Sequence, residues 1–117
     1  MPLIELDTSC ELADAGKKQR LVGALSRVVA EGTGKPEQYV MACVRDKVAM
    51  TMSGGAIPCA LVTIKAIGGL TKAVNQGLAG TISQLLQNEL AIAADRVYIT
   101  FQELSADHWA WNGKTFG

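Results

Sequence analysis

Apolar and polar side chains alternate from the first residues of the chain. Pro2, Ile4 and Leu6 share one face of Leu3-Ile4-Glu5-Leu6-Asp7, the period-two pattern of a short, half-buried strand. Beyond the turn-like Asp7-Thr8-Ser9 the period lengthens: Leu21, Val22, Leu25, Val28 and Val29 recur at helical spacing, with Gly32 and Gly34 as the stop. A helix over about residues 12–31 follows. Tyr39-Val40-Met41-Ala42-Cys43-Val44 predicts a second strand, ending at the charged Arg45-Asp46-Lys47. From Met50 to Pro58 the chain carries Ser53-Gly54-Gly55; no Gly-Lys-Ser/Thr follows and no helix starts there, so a turn is expected and not a phosphate loop.

The second half repeats this order. Cys59 to Ile67 is a nearly continuous apolar run, the signature of a central strand buried on both faces, and Gly68-Gly69 ends it. Leu70, Val74, Leu78, Ile82, Leu85, Leu86 and Leu90 predict a second amphipathic helix, whose interior Gly77 and Gly80 each cost about 1 kcal/mol relative to Ala and suggest close packing. Arg96 to Gln102 sets Val97, Ile99 and Phe101 against Tyr98, Thr100 and Gln102, a fourth strand. The tail from Trp109 to Phe116 is aromatic, with Asn112-Gly113 as a hairpin signal. The expected fold is α+β: a tandem β-α-β repeat with right-handed crossovers, forming a four-stranded sheet with two helices on one face. Apolar positions on both faces of the last two strands would leave an uncovered face that needs a partner, and a symmetric homo-oligomer supplies one.

Composition narrows the function classes. At 117 residues and 49% hydrophobic content, one domain spanning 1–117 is expected. Eleven basic and eleven acidic side chains balance, and no basic run interleaved with aromatics appears, which argues against a nucleic-acid partner. Cys10, Cys43 and Cys59 form no paired framework, so buried, reduced thiols are expected. Neither a basic-then-apolar leader nor a run of about 20 apolar residues is present, which predicts a cytoplasmic protein without a membrane span.

One residue carries candidate chemistry. Pro2 follows Met1 directly, so removal of Met1 would leave a terminal secondary amine, a titratable base, at the start of a strand. The same proline also suits an ordinary edge-strand start. An α-amino group ordinarily titrates near 7.7–8.0, and action as a base at neutral pH calls for a depressed value. Desolvation by Trp111 and Phe116 and the positive charge of Lys35 are the candidate causes.

Pro2, Gly34-Lys35-Pro36 with Gln38-Tyr39, Pro58-Cys59-Ala60-Leu61, Ile67-Gly68, Asp95-Arg96-Val97-Tyr98-Ile99, Trp111-Asn112 and Thr115-Phe116 together resemble the signature of the macrophage migration inhibitory factor family of the tautomerase superfamily. The resemblance runs nearly end to end. It implies a homotrimer in which three sheets enclose a central barrel, with an active site at each subunit interface. It also implies a phenylpyruvate-type keto–enol tautomerase, with Pro2 as acid and base and no metal or organic cofactor.

The resemblance gives the other site residues their roles. Lys35 would hold a substrate carboxylate, Ile67 an apolar contact, Tyr98 a place in a neighbouring subunit's pocket, and Trp109, Trp111 and Phe116 the walls around the substrate ring. Each has a plain alternative: an exposed turn lysine, a strand end, a packed tyrosine, an aromatic core cluster. His108, the only histidine, has no ligand or acid spaced near it and is expected at the surface or satisfied. Two positions depart from the family. Thr100 stands where members often carry Asn, which shortens the reach toward substrate; Cys59-Ala60-Leu61-Val62 lacks the second cysteine of a Cys-Ala-Leu-Cys motif, so no dithiol cycle runs through it. The competing function is a cytokine-like receptor ligand with a vestigial pocket, exported without a signal peptide.

Overall fold

The computed structural model describes residues 1–117. Strand β1 (Leu3–Thr8) pairs in parallel with β2 (Met41–Arg45) and antiparallel with β3 (Ala60–Ala66), which pairs in parallel with β4 (Val97–Glu103), giving the order β2-β1-β3-β4. Helix α1 (Ala15–Thr33) links the first parallel pair and α2 (Lys72–Leu90) the second. Two β-α-β units therefore meet along β1 and β3. A two-stranded hairpin, β5 (Ala110–Trp111) and β6 (Lys114–Thr115), ends the chain.

Both helices lie on one face, where Ile4, Leu6, Val62 and Ile64 of the sheet meet Leu25, Val29, Leu78, Ile82 and Leu86, all fully buried. Local chemistry sets the helix ends. Asp14 Oδ1 accepts the Gly16 N–H at 2.8 Å, so α1 starts three residues beyond the expected residue 12, and Leu12 is buried in the preceding loop. Thr71 caps α2 by accepting from Val74 N–H at 3.2 Å. Only Gly34, at φ 70°, acts as the stop of α1; Gly32 lies inside the helix, where a Cβ would overlap the Leu78 side chain.

Three expectations are corrected. Glu37–Tyr39 forms a single 3-10 turn instead of opening the second strand, which begins at Met41, whose N–H donates to the Pro2 carbonyl at 3.1 Å. Gly77 and Gly80 face open space, with nothing within 4 Å of a modest added side chain, so they mark no close packing. Strand β3 is buried on one face only. Ala60, Val62, Ile64 and Ala66 turn to the helices, while the other face carries Leu61, Thr63 and Lys65 beside Glu5, Asp7, Arg45, Thr100 and Gln102. That face is polar, with Arg45 paired to Asp7 at 2.6 Å and Glu5 at 3.6 Å. Exposed apolar side chains sit at its two ends: Met41 at one, Leu61 and Tyr98 at the other.

The expected turn between Met50 and Pro58 is present, with Ser53 and Gly54 at positive φ inside a Met52–Gly55 bridge. Arg96 fastens it: one guanidinium donates to the carbonyls of Met52 at 2.8 Å and Ile57 at 2.6 Å. The cysteines are free thiols, though only Cys59 is buried. No helix is long and apolar enough to cross a membrane.

Candidate active site

The start of β1 is where the chain gathers its aromatic side chains. The Met41–Pro2 backbone bond draws the 3-10 turn and the start of β2 alongside Pro2, and the tail hairpin closes over them. Asn112 and Gly113 both have positive φ, 53° and 79°, as a two-residue I′ turn requires, and Trp111 just before the turn lines the cavity while remaining largely exposed. Phe116 N–H donates to the carbonyls of Trp109 at 3.0 Å and Ala106 at 3.1 Å, pinning the last ring. The result is a cavity of about 540 Å³ walled by Pro2, Tyr39, Met41, Trp109, Trp111 and Phe116.

Pro2 itself is fully buried. With Met1 attached its nitrogen is an amide, and the terminal amine is that of Met1, which also lines the cavity. Burial, and secondarily the charge of Lys35, hold this amine below its ordinary value of 8.0. Lys35 approaches from the loop after α1. Its ammonium donates to the carbonyls of Ile67 and Gly68, each at 2.8 Å, so Ile67 touches Lys35 through its backbone. The site is thus a buried chain start, a nearby cation and an aromatic enclosure, an arrangement suited to holding a flat anionic molecule against an amine of lowered basicity.

Not every expected residue comes to this place. Tyr98 pairs with Leu61, which pairs with Asp7, so it stands about 17 Å along the strands from Pro2 and two strands across. Thr100 pairs with Thr63, level with Glu5, also away from the cavity and on the polar sheet face. Neither reaches the Pro2 pocket of its own protomer. Tyr98 is 66% exposed, open to contact from another molecule. His108 is at the surface, hydrogen-bonded to Ser105 at 3.0 Å, as expected.

Two wall residues, Tyr39 and Met41, carried no role in the sequence reading. The available signal was the pairing of the first two strands: a parallel register that starts at Leu3 and Met41 places the preceding residues of both segments side by side.

The whole chain, residues 1–117, matches the family model described as macrophage migration inhibitory factor. A macrophage migration inhibitory factor homolog from Brugia malayi is 37% identical over 117 residues, covering 100% of both chains. The Rattus norvegicus macrophage migration inhibitory factor is 34% identical over 116 residues, 99% of each chain. Among solved structures, the macrophage migration inhibitory factor homologue from Prochlorococcus marinus superposes with a TM-score of 0.92 at 39% identity, covering 98% of this chain and 99% of that one. The fold, the end-to-end match and these relatives agree: the chain belongs to the macrophage migration inhibitory factor family, within the tautomerase superfamily.

Proposed function

We propose that the chain, once Met1 is removed, is a keto–enol tautomerase of phenylpyruvate-like aromatic α-keto acids. One observation carries the reading: the chain start is buried in an aromatic cavity beside a lysine, where a terminal amine loses basicity. In the mechanism, neutral Pro2 takes a proton from the carbon next to the substrate carbonyl, and the protonated amine gives it to the carbonyl oxygen, which forms the enol and regenerates the base. The reverse transfer restores the keto form. Lys35 offsets the substrate carboxylate, and the rings of Trp109, Trp111, Phe116 and Tyr39 enclose the aromatic group. The reaction only relocates a proton, so it needs no metal or organic cofactor.

The same reading includes a homotrimer. Tyr98 and Thr100 are out of reach of Pro2 in one protomer, and a neighbouring copy would bring them to the pocket. Thr100 then offers a hydroxyl where an amide would reach farther, which shifts substrate preference toward ligands bound chiefly by their carboxylate and ring.

Enol-to-keto conversion of phenylpyruvate by the native chain and by Pro2→Gly tests the proposal, with intact mass establishing that Met1 is gone from both. General acid–base loss predicts a fall in kcat/KM of about a hundredfold in the variant. Equal activity of the two, or none in either, refutes the Pro2 mechanism, and none in either favours a receptor ligand with an idle pocket.

A further inference from the structure

Lys35 is unusually constrained for a lysine in a surface loop. Two of its three N–H donors are committed to the carbonyls of Ile67 and Gly68 at 2.8 Å, and none of the ion pairs in the protein involves it. The turn that presents those carbonyls holds both Gly68 and Gly69 in the left-handed region, at φ 71° and 84°. At Gly69 a Cβ would stand 3.2 Å from Lys35 Cε and 3.5 Å from Nζ. A methyl there would press on Lys35 Cε, so the lysine stem would have to give by a few tenths of an ångström.

We propose that Gly69 is a positioning residue for the terminal amine: its missing side chain is the slot that lays Lys35 across the β3–α2 turn and fixes the ammonium relative to that amine. The slot also leaves Lys35 a single N–H for a substrate carboxylate, a consequence that rests on the tautomerase reading above. Of the other charged and titratable groups on the elements around the amine, Glu37 and Lys114 are exposed, and the rest are engaged or turned aside. Tyr39 lines the cavity with its ring, Lys65 stands opposite Leu3 on the polar sheet face, and Glu103 accepts the Leu70 N–H at 3.0 Å. Asp107 and His108 of the tail both bond Ser105. Lys35 is the one charge that lowers the Met1 amine, and loss of Met1 would set the Pro2 nitrogen beside the same cavity, so the placement of Lys35 matters.

The test titrates the isotope-labelled Pro2 nitrogen by NMR in the chain lacking Met1. Gly69→Ala should raise the amine pKa, because the shifted lysine stem loosens the hold of the two carbonyls on its ammonium, and should raise KM for phenylpyruvate about threefold. Gly54→Ala imposes the same left-handed strain, at φ 71° and in open space, and should change thermal stability alone. In a Lys35→Met background Gly69→Ala should add nothing to the amine pKa. An unchanged pKa in Gly69→Ala, or a shift that persists without Lys35, overturns the proposal. Gly69→Asn, better tolerated at positive φ, gives the same reading if the alanine variant fails to fold. The titration reads the amine directly, so a chain inactive toward phenylpyruvate would sink the tautomerase reading and leave this test intact.

Discussion

Replacing a helical glycine by alanine ordinarily stabilises a protein, and Gly32 should do the reverse. In a helix interior the exchange is worth up to about 1 kcal/mol, somewhat less in the last turn where Gly32 lies. Here, however, the new Cβ overlaps Leu78 Cδ2 and comes within 3.1 Å of its Cγ, and Leu78 is itself 1% exposed in the core. It cannot swing out to solvent, so the helices must separate or Leu78 must leave its rotamer, at a cost of about 1–3 kcal/mol. The net expectation for Gly32→Ala is a loss of about 1 kcal/mol and a Tm lower by about 4 °C. Gly80→Ala is the matched control, since nothing lies within 4 Å of its added methyl, and it should gain up to about 1 kcal/mol. Urea unfolding of all three chains at one protein concentration separates the two signs by about 2 kcal/mol. If Gly32→Ala proves as stable as Gly80→Ala, close approach of α1 to Leu78 is not what fixes glycine at that position.

Arg96→Ala should free the Met52–Pro58 turn, cost about 2 kcal/mol and speed amide exchange there while the β3 core stays protected; uniform exchange throughout would contradict a local clamp. Asp46 accepts from Lys18 at 2.7 Å and the Leu12 N–H at 2.8 Å, which hold its carboxyl below the ordinary 3.8. A depressed carboxylate contributes stability above its unfolded pKa and loses it as pH falls through the folded one, so Asp46→Asn should flatten the Tm–pH curve below about pH 4. Parallel curves for the two chains would rule the linkage out. Trp111→Ala removes a wall that binds ground and transition states alike, so KM for phenylpyruvate should rise about tenfold with kcat little changed; an equal fall in kcat would assign Trp111 a different part.

Period-two and helical spacing located every main element, because each buries one regular face: Ile4 and Leu6 in β1, Leu21 to Val29 in α1, Val62 and Ile64 in β3. The errors fell where a local rule met a nonlocal fact. Gly32 resembles a helix stop until Leu78, 46 positions away in the sequence, is seen against it. Tyr39-Val40 has strand-forming residues, yet the strand begins only where Pro2 supplies a carbonyl to Met41. The apolar run of β3 concealed a polar face because Thr63 and Lys65 acquire meaning only beside Glu5, Asp7 and Arg45 of other strands. For the site, Pro2 and the aromatic tail were legible from their positions. Tyr39 as a wall and the carbonyl cradle of Lys35 were not, since both depend on how distant turns meet.

The charged sheet face has a consequence for a protomer on its own. Arg45 pairs with Asp7 and Glu5 within the same molecule, so a newly made subunit presents water with a wettable surface and only narrow apolar margins at Met41, Leu61 and Tyr98. Such a subunit can wait for partners without clumping. If copies associate as in the homotrimer proposed above, contacts confined to such margins would make assembly reversible, and subunits carrying different lesions should exchange at low concentration, so that a chain defective at Pro2 and one defective at Tyr98 restore each other's function when mixed.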